Sequence, residues 1–376
     1  MCYMIYFDNA ATSFYKPENV KNGIIKNITS MTANPGRGGH NPSKKVAEKI
    51  FDTREVVKQF FCANNYDVIF TKNCTEALNL AIFGNLKTGD HVIISCFEHN
   101  SVLRPIHYLK SIGVELTIIE DDLQNFHTHL EREIKSNTKM VVCSFVSNVT
   151  GDYSYPKKIS EICKSHNVLY LIDGAQACGH LSINLDEIDA DMMAFAGHKG
   201  LLAITGVGGL LKKSNLNFKP LTMGGTGTDS ANLNQPTDTI EGYESGTIPS
   251  ISIMSLGDGI KFLSKNFSEI QKKEAKLIIY LISELKKLKF LTIYSKDDSK
   301  NVVSFNFKNC DSTTISNILN EKFGICVRSG LHCAPLAHKQ LGTQDCGTVR
   351  VSLDFNNSIS EIDKFVQALK TINNYS

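Results

Sequence analysis

The chain is 376 residues long and carries almost no net charge. Its 40 lysines and arginines oppose 38 aspartates and glutamates, leaving a formal charge of +2. No basic field therefore points to nucleic acid. No apolar run approaches the length that spans a bilayer, so no membrane partner is expected. Met1 to Asp8 lack a basic stretch followed by a long apolar one, and no signal peptide is read there. Internal repeats and low-complexity tracts are missing too. The 11 cysteines are odd in number and scattered, and some sit inside apolar runs, as Cys96 does in VIISC and Cys143 in VVCSF. Buried free thiols in a cytoplasmic chain explain this better than a disulfide framework. At most one or two should be reactive.

What is present is ordinary for a globular protein: 42% hydrophobic and 21% charged residues. The length predicts one large domain and a smaller one. Apolar strand-like runs alternate with helical patterns through the middle of the chain. VIFT (68–71), HVIIS (91–95), VELTIIE (114–120), MVVCSFV (140–146) and VLYLID (168–173) read as strands, followed by DMMAFA and GVGGLLK. Helices are expected near 103–112 and 157–165. This rhythm predicts an α/β domain with a mainly parallel sheet. After about residue 250 a long helical pattern runs to 288. NVVSFNF, a helix at 312–323, ICVRSG, TVRVSLDF and a final helix at 360–372 follow, which suggests a smaller α+β domain. The Gly- and Thr-rich stretch 224–238 reads as a long loop, of a kind that is often functional.

Four strands each end in a polar cluster: VIFT in KNCTE, VIISC in FEHNS, VVCSFV in SNVTG and LYLID in GAQ. Ligands of open α/β sheets bind beyond the carboxyl ends of the strands, so the four clusters predict one shared crevice. Asp173 either holds the turn before Gly174 or pairs with a cationic ring nitrogen, with Gln176 close by as a donor. Lys199, in FAGHKG, is either a solvated charge or a desolvated amine able to form an imine. Thr75 reads as an N-cap, as part of an anion site at a helix start, or as both. His99 is either a surface residue or a ring-stacking one, and Asn148 a polar contact in the crevice. Cys333 lies in VRSGLHCAP, a loop and not a strand, where Arg328 and His332 would favour the thiolate. A zinc set of His332, Cys333, His338 and Cys346 matches no usual finger spacing. Arg350 in TVRVSL is either a fork for a carboxylate or a strand arginine facing water.

Taken in order, YFDNAATS (6–13), RGGH (37–40), CTEALNLAI, EHNSV, VSNVTG, DGAQA, GHKG, ESGT (244–247) and RSGLHCAP resemble the cysteine desulfurase and selenocysteine lyase family of the class V aminotransferase superfamily. The resemblance covers nearly the whole chain. It implies a pyridoxal 5'-phosphate (PLP)-dependent transferase of fold type I, with a large domain at 15–252 and a small one from 1–14 and 253–376. Lys199 is then the Schiff-base lysine, His99 the stacking residue, and Asp173 and Gln176 the ring partners. Thr75 and His198 belong to the phosphate cup. Thr247 contacts the phosphate of a second subunit, which implies a homodimer with shared sites. Asn148, Arg328 and Arg350 contact the substrate, and Cys333 accepts sulfur as a persulfide and hands it to an acceptor protein. The implied reaction converts L-cysteine to L-alanine. Selenocysteine lyase and aminotransferase or β-lyase activities are the alternatives. Ala196 stands where the family commonly has Ser, removing one phosphate contact, and the loop reads RSGLHCA where RAGHHCA is usual.

Overall fold

The computed structural model describes residues 4–36, 38–228 and 230–374. Arg37 of the RGGH motif, Asp229 of the Gly- and Thr-rich stretch and the first three residues lie outside the described residues. The strands in chain order are β1 (Ile5–Tyr6), β2 (Tyr66–Thr71), β3 (His91–Ser95), β4 (Glu115–Ile119), β5 (Thr138–Ser144), β6 (Leu169–Asp173), β7 (Met192–Ala196), β8 (Gly208–Lys213), β9 (Leu291–Ile293), β10 (Val302–Phe307), β11 (Ile325–Cys326), β12 (Arg328–Gly330) and β13 (Thr348–Ser352).

Strands β2 to β8 form one sheet in the order β2-β8-β7-β6-β5-β3-β4. Pairing is parallel from β7 to β4, and only β8 runs against its neighbours. The apolar runs are continuous because both faces are covered. Ile93, Val141, Ile172, Met193 and Leu211 pack on one side, while Val92, Ile94, Val142, Leu171, Ala194 and Leu210 pack on the other. Side chains alternate across a strand, so consecutive residues serve opposite cores. Helices Cys74–Asn85 and Asn100–Ser111 lie over the second face. Helix Asn41–Phe60 and the start of Ser250–Lys286 lie over the first.

The smaller unit is an antiparallel sheet, β12-β13-β10-β9, with β1 paired in parallel to β11. Helix Ser312–Phe323 begins and ends where the sequence placed it. Asp311 caps its start by accepting from the N–H groups of Thr313 and Thr314, and Gly324 at φ +65° closes it in the left-handed conformation that glycine tolerates. Helix Ile359–Asn373 opens with a capping box between Ser358 and Glu361. Ile5 and Phe7 share a core with Leu277–Leu285 and the C-terminal elements. The expected division at 252/253 falls in the first turn of helix Ser250–Lys286. Ile253 to Ile270 of that helix belong to the core of the large sheet, and Leu277 to Leu285 to the small one. Among the described residues no helix is long and apolar enough to cross a membrane, and no helix or strand interrupts 214–239.

Candidate active site

The strand order brings all four polar clusters to one edge of the sheet. Asn73, Thr75, His99, Ser144, Asn148, Asp173, Gln176, His198, Lys199, Arg328 and Arg350 line a cleft there. Asp173 ends β6 and is 5% exposed. Its Oδ1 accepts from the N–H of Ala175 at 2.9 Å and from the thiol of Cys74 at 3.6 Å. Among the described residues Oδ2 receives no donor. Lys199 sits beyond β7. Desolvation lowers the pKa of its ammonium; Asp173 opposes that shift, while Arg350 and Arg328 add to it. Gln176 spends one amide hydrogen on the carbonyl of Ala10 at 3.0 Å.

Thr75 does not cap its helix. Asn73 does, accepting from the N–H of Glu76, so that Cys74 and Thr75 supply the first-turn N–H groups beside the cleft. The Thr75 hydroxyl meets Ser101 Oγ at 2.8 Å, and Ser101 Oγ meets His99 Nδ1 at 2.8 Å. His99 is itself the cap of helix Asn100–Ser111, accepting at Nδ1 from the N–H of Ser101. Burial lowers its pKa to about 4 despite the nearby Asp173 carboxylate, so its ring is neutral at pH 7. His198 is lowered to about 4 by burial and by Lys199 and Lys16. Its carbonyl gathers the N–H and hydroxyl of Ser13, the hydroxyl of Thr12 and the ammonium of Lys16.

Two readings of the sequence need correction. Arg350 does not face water. It is 1% exposed and donates to Asp8 Oδ1 at 2.8 Å and to the carbonyl of Asn148 at 3.0 Å, while among the described residues its Nε has no partner and the side chain lines the cleft. His332 does not assist Cys333. Its Nε2 lies at 3.0 Å from Thr348 Oγ1, and burial drives its pKa far down. Among the described residues no three His, Cys, Asp or Glu side chains are grouped to hold a metal.

Cys333 is half-buried and is not among the side chains that line the cleft. Arg328 does line it, and its Nη2 donates to Cys333 Sγ at 3.8 Å. The loop is held tightly. His332 and Cys333 take φ of +48° and +58°, a strained conformation for non-glycine residues. Asn148 Nδ2 donates to the His332 carbonyl at 2.7 Å, and the N–H of Asn100 to the Cys333 carbonyl at 2.7 Å. Asn148 therefore ties the loop to the large domain through one of its amide hydrogens. Thr247 is exposed and lies outside this cleft, beside Phe70, Glu76 and Glu244.

A model of the family described as Aminotransferase class-V matches residues 5–365. The chain belongs to the class-V aminotransferase family. Among similar family members, a probable cysteine desulfurase of Pyrococcus abyssi is 33% identical, the match covering 98% of this chain and 94% of that protein. One from Methanothermobacter thermautotrophicus is 31% identical with the same coverage. The solved apo structure of a cysteine desulfurase from Thermococcus onnurineus superposes with a TM-score of 0.91 at 31% identity, covering 98% of this chain and 94% of that one.

Several residues of this class-V aminotransferase site had no role in the sequence reading. Cys74 and Ser101 lay inside the quoted motifs, beside residues that did. Asp8 lay in YFDNAATS, but its partner Arg350 is 342 positions away. Glu98, 0% exposed, accepts from the hydroxyl of Ser95 and from the N–H and hydroxyl of Ser144. A glutamate just before a candidate ring-stacking histidine was the only signal available for it.

Proposed function

We propose that the protein is a cysteine desulfurase that converts L-cysteine to L-alanine and carries the removed sulfur on Cys333. The observation that carries this is that a desolvated lysine and a buried carboxylate line one cleft together with Arg328, whose guanidinium reaches the Cys333 thiol. The residues also fit PLP. Asp173 has a free oxygen for a cationic ring nitrogen, Lys199 an amine for the aldehyde, and His99 a neutral flat ring. The Cys74–Thr75 helix start, with the hydroxyls of Thr75 and Ser101, suits a phosphate. His198 and Gln176 complete the wall, and Ala196 adds no hydroxyl to it.

Bound there, PLP withdraws electrons from the α-carbon of a substrate amino acid. The chain's own groups do the rest. Lys199, with its lowered proton affinity, takes the proton from the substrate α-carbon and later returns one to the product. Cys333, whose sulfur accepts from Arg328 Nη2, attacks the substrate sulfur. The new S–S bond forms on Cys333 as the bond from the β-carbon to sulfur breaks, and that carbon leaves as the methyl group of alanine. An acceptor thiol then removes the outer sulfur. Asn148 braces the loop against the cleft, and Arg328 and Arg350, which both line it, meet the substrate carboxylate. In this reading the protein is a cytoplasmic homodimer, and Thr247, exposed outside its own cleft, serves the site of a second copy.

The test is an assay of purified protein with cysteine that follows alanine and sulfide together, alongside the visible absorbance. Lys199→Ala should lose both the absorbance band and turnover. Cys333→Ala should keep the band and lose desulfuration by at least about a hundredfold. Normal cysteine turnover by Cys333→Ala would end the assignment of the acceptor.

A further inference from the structure

The cleft is lined by a thiol that the proposed reaction leaves unused. Cys74 opens the helix beyond β2, lines the cleft and is 7% exposed. Its thiol and the N–H of Ala175 both donate to Oδ1 of Asp173. Two donors on one oxygen resist rotation of the carboxylate about its last torsion, so the other oxygen keeps a fixed direction. The electrostatic surroundings of the two thiols differ. Cys333 meets the guanidinium of Arg328. Cys74 meets a carboxylate in a desolvated corner; burial and Asp173 hold its pKa well above the ordinary thiol value, against a lowering by Lys199. A thiol kept protonated is a donor and not a nucleophile.

The geometry points to Cys74 as a positioning residue, whose S–H fixes Asp173 so that Oδ2 is offered to the ring nitrogen of PLP. This rests on the cofactor reading above. In a chain with 11 cysteines it also separates two active-site thiols by role: Cys333 for sulfur chemistry, Cys74 for orientation.

Affinity of the full-length apoprotein for PLP tests it without recourse to turnover. Cys74→Ala should bind about three- to tenfold more weakly, the loss of roughly one hydrogen bond. Cys74→Ser keeps a donor and should return to within about twofold of the parent protein. In an Asp173→Ala background, Cys74→Ala should have no further effect, because the contact it removes is already gone. Additive losses, a Cys74→Ser as weak as Cys74→Ala, or an unweakened Cys74→Ala each overturn the proposal. A second measurement checks the contact itself. With Cys333→Ser to silence the loop, iodoacetamide labelling of Cys74 at pH 8, mapped by mass spectrometry, should be severalfold faster in Asp173→Ala. An unchanged rate overturns the pairing. A parent protein that binds no PLP overturns the cofactor reading and this proposal together, whereas a binding parent with an additive cycle overturns this proposal alone.

Discussion

Glu98→Gln is the perturbation whose size the structure defines most directly. Glu98 lies under the cleft with no solvent contact. Burial raises its pKa from the ordinary 4.5 to about 8; the Ser95 and Ser144 donors oppose the rise and Asp173 adds to it. Between those two values the folded protein holds a proton that the unfolded chain has released. Stability therefore falls as pH rises through this window, by about 1.4 kcal/mol per pH unit, or roughly 5 kcal/mol across all of it. Glutamine keeps the shape. Its Oε1 can accept from the Ser95 hydroxyl and the Ser144 N–H, while its amide donates to Ser144 Oγ. The variant has no proton to lose. Urea unfolding at pH 5, 6, 7 and 8, followed by circular dichroism because the chain has no tryptophan, should give similar stabilities at pH 5. The glutamine variant should pull ahead by several kcal/mol at pH 8. Parallel profiles for the two proteins, or a parent that gains on the variant as pH rises, would refute the reasoning.

The ion pair between Asp8 and the fully buried Arg350 makes a second case. Asp8→Ala leaves a guanidinium without its counter-charge, and the urea midpoint should fall by an amount equal to about 3–5 kcal/mol. Much of the loss should return when Arg350→Met is added. His99 and His198 both have pKa values lowered to about 4 from 6.5. The unfolded chain thus binds more protons between pH 6.5 and 4, and stability should drain away as pH falls through that range. His198→Asn should flatten the acid limb of the melting profile. Thr247→Ala should weaken PLP binding in a dimeric preparation, and mixing it with Lys199→Ala subunits should give dimers with one intact site.

The large sheet was legible because β3, β5, β6 and β7 are buried on both faces and so read as unbroken apolar runs bounded by polar clusters. The common edge of those clusters followed from the parallel rhythm. Helix Ser312–Phe323 was legible to the residue, since Asp311 and Gly324 punctuate it. The helices Glu18–Ser30 and Asn41–Phe60 did not emerge. The first buries only Val20 and Asn27, and the second breaks its apolar stripe with Ser43 and Thr53. The cap on helix Cys74–Asn85 was placed two residues late, because Asn73, Cys74 and Thr75 compete for the position and only the Asn73–Glu76 bond decides it. Long-range pairings were out of reach. Nothing near Arg350 in sequence discloses Asp8, and the short spacing of His332 from Cys333 suggested a contact that a left-handed turn prevents.

The chain's opening segment is stitched into both halves of the molecule. Asp8 reaches Arg350, Ala10 takes the amide of Gln176 and, through its N–H, Ser352 Oγ, and Thr12 and Ser13 close on His198. Residues 8–13 are thus held by partners that lie 166 to 342 positions further along the chain. A nascent chain that has already made β2 to β8 still lacks one wall of its cleft until β13 is released. Closing that wall joins segments 342 positions apart, a long-range contact of the kind that slows folding. Without β13, Asp8 and Ala10 have neither of these partners, and the pocket keeps an open wall.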